Sequence, residues 1–207
     1  MAERLYAERG VNGVSLREIG AEAGQRNTGA ARYHFGSKAA LIDAVLRYRM
    51  EPINRRRLAV LEELDAEGRG YELRGLTDAF VYPLSDQLGQ VGRPTWYLRF
   101  VLQAVLVRGS AATLEGDQPW TSGVKELRRR VHSALAELGI PPSARPDRWT
   151  LYGGFITHAL ADREQTLQFA PEQVRTPRIP FLAHIVDTAV ALAAAPVTAA
   201  HHQRRPA

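Results

Sequence analysis

The sequence predicts an all-α protein with a small N-terminal helical domain and a larger helical domain after it. Apolar residues recur at helical spacing through most of the 207-residue chain, and no convincing hairpin pattern interrupts them. Short polar segments near the N-terminus carry residues that begin and end helices. Apolar residues make up 45% of the chain, which is enough to form a hydrophobic core.

The segment from Ser15 to Leu41 predicts two short helices, a tight turn between them and the start of a third helix. Ser15 and Glu18 have the spacing of a capping box, in which each side chain bonds to the other residue's backbone. Gly24 suits the left-handed position that ends a helix. A second short polar helix follows, and Ser37 can cap the next one. This order predicts a helix-turn-helix, whose second helix lies in the major groove of DNA.

The first fifty residues contain four distinctive stretches in order: LYAERG at 5–10, VSLREIG at 14–20, AG at 23–24 and YHFGSKAAL at 33–41. With these stretches, and with the helix-turn-helix at about Leu16 to His34, this segment resembles the N-terminal domain of the tetracycline-repressor (TetR) family of transcription regulators. Two features depart from the family pattern. The first helix is short, and the spacing from the turn to the aromatic residues is about one residue longer.

The resemblance implies three parts of the chain and a function for each. Residues 1–48 would form the helix-turn-helix DNA-binding domain, residues 49–195 a helical effector-binding and dimerisation domain, and residues 196–207 a flexible tail. The expected partners are double-stranded operator DNA, an unknown small-molecule effector and a second copy of the chain. The family's usual mode is repression. No cofactor and no metal is expected.

The candidate DNA contacts are polar or cationic residues on or beside the two short helices. Arginine and asparagine can read base edges, whereas Lys38 and hydroxyl groups suit phosphates. The N-terminus of the first of these helices also favours a phosphate. Taken singly, each such residue is as typical of a solvated surface as of a DNA contact. The candidates are Ser15, Arg17, Arg26, Asn27, Thr28, Arg32, Tyr33, His34 and Lys38.

The larger domain contains two sets of candidate residues, and the alternative for both is ordinary core packing. Aromatic residues with a few polar atoms could line an effector pocket. These are Trp96, Tyr97, Phe100, Gln103, Trp120, Tyr152 and Phe155. Wide apolar faces on the last two helices could form a four-helix bundle between two copies. The residues assigned to that dimer interface are Ile156, Leu160, Leu182, Ile185, Val186, Ala189 and Val190.

Composition and missing motifs argue against several other classes of protein. The chain has no cysteine, so it has no disulfide or thiolate site, and its net charge of +5 suits a polyanionic partner. No apolar run is long enough to span a membrane, and no signal peptide is recognisable, so a cytoplasmic protein is expected. The common nucleotide-binding and hydrolase motifs are absent, so an enzyme is not expected.

Two alternatives remain open at the level of sequence. The first is a helical small-molecule-binding protein with a non-functional DNA-binding head. The second is an enzyme that uses His158 and Asp162, which lie four residues apart on one predicted helix. The arginine runs at 55–57 and 128–130 are interpreted as solvated faces.

Overall fold

The computed structural model describes residues 1–24, 30–109, 113, 116 and 118–197, with only the backbone described at 30–32. Within these residues the chain forms α-helices and no β-strand, which confirms the predicted all-α class. The helices are α1 (Ala2–Arg9), α2 (Leu16–Glu22), α3 (Ala30–Phe35), α4 (Lys38–Ala66), α5 (Leu73–Ser85), α6 (Tyr97–Arg108), α7 (Ser122–Glu137), α8 (Arg145–Phe169) and α9 (Arg178–Ala194). The predicted tail falls almost entirely outside the described residues.

Local capping fixes the beginning and end of α2. The Ser15 hydroxyl accepts a hydrogen bond from the Glu18 backbone N–H at 3.2 Å, and the Glu18 carboxylate accepts one from the Ser15 N–H at 2.8 Å. This is the predicted capping box. Gly24 has a φ of +72°, a conformation that residues with a side chain rarely adopt, and it turns the chain away after α2.

The long helix α4 joins the N-terminal helices to the rest of the molecule without a break. The Ser37 hydroxyl caps it by accepting from the Ala40 N–H at 3.1 Å. Pro52, a potential break in the sequence, lies inside the helix. It cannot donate to the Tyr48 carbonyl, but both residues lie on the exposed face, where water can satisfy that carbonyl. The predicted domain boundary at residue 48 therefore falls within a continuous helix.

The N-terminal helices are also attached to the larger domain through α1. This helix packs against α6, and the Tyr6 and Phe100 rings stack with their centroids 5.8 Å apart. The Glu3 carboxylate accepts two hydrogen bonds from the Arg49 guanidinium on α4, at 2.7 and 2.8 Å. One connected core of buried apolar residues extends from Leu5 to Ala193. The orientation of helices α1 to α3, called the head from here on, is thus tied to that of the larger domain.

Helix α5 lies at the centre of the larger domain, against α4, α7 and α9. Pro83 has no N–H, so the Ala79 carbonyl loses its helical donor. The Arg57 side chain of α4 replaces that donor: its Nε donates to the Ala79 oxygen at 3.1 Å. Arg57 is only 1% exposed, so the interpretation of residues 55–57 as a solvated face is wrong at this position.

A second arginine from a sequence run is also buried. Arg130 of α7 donates to both oxygens of Asp65, near the end of α4, at 2.6 and 2.7 Å, and to Glu126 at 2.8 Å. Its neighbour Arg129 stays exposed and pairs with Glu126. The prediction of a solvated face at 128–130 is therefore wrong for Arg130, because this side chain fastens α7 to α4.

Candidate nucleic-acid interface

The N-termini of α2 and α4 open onto one cleft of about 750 Å³. Two separate segments form its walls, namely the loop into α2 with its first turn and the turn before α4. The lining residues are Asn12, Gly13, Val14, Ser15, Leu16, Arg17, Glu18, Gly36, Ser37 and Lys38. Each helix N-terminus presents free N–H groups and the positive end of a helix dipole, so their convergence favours an anion.

Three charged side chains determine the electrostatics of this cleft. Arg17, in the first turn of α2, is exposed. The Lys38 ammonium donates to the Val11 carbonyl at 3.0 Å and so holds the loop before α2 against the start of α4. Hydrogen bonds from Ser15 lower the pKa of Glu18, which keeps this carboxylate ionised and engaged at the cap. The cleft therefore combines two helix N-termini with two cations and one internally bonded carboxylate.

Helix α3 lies beside α2 and presents two aromatic side chains to solvent. Tyr33 is 86% exposed, and its ring meets the His34 ring edge-on, with centroids 5.5 Å apart. Among the predicted DNA contacts, Ser15, Arg17, Tyr33, His34 and Lys38 are thus on or beside the α2–α3 face of the head. Arg26, Asn27 and Thr28 lie outside the described residues, as does the side chain of Arg32.

The seven predicted pocket residues differ in how deeply they are buried. Tyr97, Phe100 and Tyr152 have no exposed surface, and they pack in two aromatic groups, one with Tyr6 and one with Phe80. Trp96, Gln103, Trp120 and Phe155 are partly buried. Of the seven, Trp120 alone lines the two clefts beside α4 that are described in the next paragraph. The alternative of core packing therefore describes the three fully buried residues.

The two clefts at Trp120 were not anticipated from the sequence. One, of about 360 Å³, is lined by Ala40, Asp43, Ala44, Arg47, Arg108, Gly116, Gln118 and Trp120. The other, of about 420 Å³, is lined by Arg47, Glu51, Asn54, Arg55, Leu58, Gln118, Pro119, Trp120 and Ser122. The Asn54 side chain donates to the Trp120 carbonyl at 2.7 Å and holds this turn against α4. Residues of α4 and of the turn at Trp120 line both clefts, and Arg108 at the end of α6 joins the first one. Asn54 and Trp120 are 66 positions apart in the sequence.

The predicted dimer residues are mostly buried inside the protomer. Six of them are at most 4% exposed, and Val190 is partly buried. Helix α9 directs this apolar face against α5 and α8. The surface that a second copy can reach is the opposite face of the same helices. On α8 that face carries Leu151, Gly154, His158, Asp162, Gln165 and Phe169, and on α9 it carries Pro180, His184, Asp187, Ala191 and Ala194.

His158 and Asp162 both lie on the exposed face of α8. In the described part of the chain, no three histidine, aspartate or glutamate side chains cluster closely enough to hold a metal ion. No helix in that part is long and apolar enough to cross a membrane.

Comparison with known proteins supports the assignment of the head. Residues 1–45 match the family model described as "Bacterial regulatory proteins, tetR family". The match ends within α4 and includes α1, α2, α3 and the cleft between the two helix N-termini. No curated protein and no solved structure matches the chain.

Proposed function

We propose that this DNA-binding transcription regulator of the TetR family acts as a homodimer on a pseudo-palindromic operator and responds to a small-molecule effector. The family and its DNA-binding function follow from the match of residues 1–45. The homodimer, the effector and repression as the outcome are the parts that we add. Because helix-turn-helix dimers bind two-fold symmetric sites, the homodimer and the pseudo-palindromic operator belong together.

The observation that carries the proposal is the shared cleft of the α2 and α4 N-termini next to an exposed face of α3. A phosphate in the cleft would meet free backbone N–H groups and Arg17. Tyr33 is a large side chain that nothing in the described protomer covers. With the cleft on the DNA backbone, α3 would be the helix that enters the major groove.

The exposed faces of α8 and α9 support the dimer. Leu151 and Phe169 are each 62% exposed, and Ile179 at the start of α9 is 76% exposed. Small residues between them, such as Gly154 and Ala191, would let helices of two copies approach closely. Two helices from each protomer would then form a four-helix bundle.

The route from effector to DNA runs through α4. Its first turn contributes Lys38 to the cleft between the α2 and α4 N-termini, and its residues between Ala40 and Leu58 line the two clefts at Trp120. An effector that binds one arrangement of α4 more tightly than another would change the spacing of the two heads, and with it the operator affinity.

Selection from randomised DNA duplexes tests the proposal, with Tyr33→Ala and the control Tyr48→Ala. Tyr48 is 75% exposed on α4, so its loss removes an exposed aromatic residue without touching the interface. We expect the wild type and the control to enrich one palindromic site and the Tyr33 variant to lose that enrichment. Folded wild-type protein that selects nothing would instead favour a small-molecule-binding protein with a non-functional head.

A further inference from the structure

The buried guanidinium of Arg57 has no acidic partner among the described residues. Its Nε donates to the Ala79 carbonyl, and a second nitrogen donates to the Asn54 side-chain oxygen. The Phe80 ring lies with its centroid 5.3 Å from the guanidinium carbon. All three neighbours are neutral, so the positive charge inside the domain is not neutralised.

Two other buried arginines of the described residues, unlike Arg57, have acidic partners. Arg99 is paired with the buried Glu164 at 3.1 Å, and Arg130 with Asp65 at 2.6 Å. Burial lowers the pKa of Arg57 to about 10, which still leaves the group charged at neutral pH. A buried cation without an acidic partner is unfavourable, and proteins ordinarily pair such groups.

The need for a donor at Ala79 explains only part of this arrangement. Pro83 leaves that carbonyl without a helical partner, and the Nε of Arg57 supplies one. A neutral side chain such as glutamine would supply a donor without bringing a charge into the core. None of the described neighbours is acidic, so the need for a donor does not account for a full positive charge at this position.

The Arg57 guanidinium contacts Asn54, and Asn54 lines the 420 Å³ cleft. Asn54, itself 2% exposed, separates them: it accepts from Arg57 and donates to the Trp120 carbonyl. The cleft rim carries Arg47 and Arg55, with Glu51 as its one carboxylate. Leu58 and Trp120 add apolar surface, so the cleft has both a cationic side and an apolar side.

We propose that this cleft is the effector site and that the effector is a small amphipathic carboxylate. With Asn54 turned aside, the carboxylate would accept two hydrogen bonds from Arg57, and the apolar part would lie on Leu58 and Trp120. The arginines of the rim would attract the anion. This inference rests on the proposed regulator function, and it assigns that function a ligand class and a site.

The same geometry links binding to the DNA-binding head. When Asn54 turns, its hydrogen bond to the Trp120 carbonyl is lost, and that bond holds the 119–121 turn on α4. Helix α4 is continuous from Asn54 back to Lys38, which lines the cleft between the α2 and α4 N-termini. A carboxylate on Arg57 therefore changes the packing of the helix that carries the head.

The test is a titration of the full-length protein with decanoate, decan-1-ol and decyltrimethylammonium, followed by calorimetry and tryptophan fluorescence. The three probes share one apolar chain and differ in the charge of the head. Wild-type protein should bind decanoate at least about tenfold more tightly than the alcohol, since a buried bond to a charged group contributes that much. The ammonium should bind most weakly. Equal binding of decanoate and decanol would overturn the inference.

Two variants and a control assign the preference to Arg57. Arg57→Met should remove the preference for decanoate, whereas Arg56→Met, which removes the neighbouring exposed cation, should retain it. If Arg57→Met does not fold, Asn54→Asp carries the test, because its carboxylate would compete with the ligand for the guanidinium. A decanoate preference that survives in the folded Arg57 variant, or in Asn54→Asp, would contradict the proposed site.

Operator binding measured on the same preparations separates the two proposals. Wild-type protein that selects DNA but binds decanoate and decanol equally would overturn the carboxylate site and leave the regulator in place. Wild-type protein that prefers decanoate but selects no DNA would overturn the regulator, while the binding site would stand.

Discussion

At the scale of single residues, the buried polar groups decide how helices meet. Glu164 of α8 is 2% exposed and accepts hydrogen bonds from the backbone N–H groups of Leu98 and Arg99, each at 3.2 Å. It also accepts from the Arg99 side chain at 3.1 Å. A carboxylate from one helix thus caps the N-terminus of another, where the helix dipole favours negative charge.

Glu164→Gln should destabilise the protein by about 2–4 kcal/mol, because it removes the charge that compensates Arg99 and sets an amide donor against other donors. Urea unfolding measures this as a lower midpoint. Glu172, which is exposed in the short turn after α8, supplies the control. Glu172→Gln should stay within about 0.5 kcal/mol of wild type. Equal midpoints for the two variants would show that the buried pair contributes nothing net.

Arg17 lines the cleft between the α2 and α4 N-termini, where a DNA phosphate would bind. Arg17→Ala should weaken binding to all DNA sequences alike and reduce the slope of log K against log salt by about 0.9, the value for one phosphate contact. Arg175→Ala, which removes an exposed cation between α8 and α9, should leave the slope unchanged. Titrations at several salt concentrations give both slopes. A sequence-dependent loss for Arg17 would mean that it reads a base.

At the scale of helices, α4 and α7 are held together by a small charged network. Glu126 of α7 bonds to Arg129 and Arg130, and Arg130 reaches across to Asp65 near the end of α4. Hydrogen bonds from Arg129, and then from Arg130, lower the pKa of Glu126 to about 2. The ionised carboxylate is therefore the form that stabilises the folded protein.

This shift predicts a dependence of stability on pH. Because the pKa in the folded state lies below the ordinary value of 4.5, the stabilisation is complete above that value and is lost as the pH falls through about 2. The ion pairs of Glu126 with Arg129 and Arg130 are partly solvated, so together they contribute about 0.5–1 kcal/mol to stability. The difference in unfolding free energy between wild type and Glu126→Gln should shrink between about pH 5 and pH 2. Glu137→Gln, at the end of α7, should show no such trend.

Helix α9 provides a matched pair of variants for the dimer. Val186 is 1% exposed, so Val186→Glu would bury a charge and unfold the protomer. Ala191 lies on the exposed face of the same helix. Ala191→Glu should leave the protomer folded and convert dimers to monomers, as measured by light scattering after size-exclusion chromatography and by circular dichroism. A folded, dimeric Ala191→Glu variant would exclude this face from the interface.

At the scale of the whole molecule, the head and the larger domain share a core. The Tyr6–Phe100 stack, the Glu3–Arg49 pair and continuous α4 leave the head little freedom to move alone. In a dimer, the spacing between the two heads would follow the arrangement of the larger domains. That rigidity is what would allow a ligand beside α4 to alter DNA binding.

The proposed homodimer predicts the form of the operator. The centres of its two half-sites should lie about 34 Å apart along the DNA, or at a multiple of that distance, so that both recognition helices face the same side of the duplex. Footprinting of the selected site measures this spacing. A single unrepeated half-site bound by one protomer would contradict the homodimer.

The helical class and the local structure of the N-terminal helices could be predicted from the sequence alone. Capping residues and apolar spacing act over three or four positions, so the Ser15–Glu18 box and the Ser37 cap could be read directly. The same locality explains why Arg17 and Lys38 could be named as candidate DNA contacts: they lie close to helix N-termini that the sequence already specifies.

Where two side chains or two helix faces are chemically similar, long-range packing determines which of them is buried. Arg55, Arg56 and Arg57 are alike in sequence, yet Arg57 alone of the three lies opposite the carbonyl that Pro83 leaves free on α5. The apolar face of α9 was assigned to a second copy but is covered by α5 and α8. The cleft at Trp120 joins residues 66 positions apart. Each of these depends on contacts between distant segments, which periodicity along one helix cannot specify.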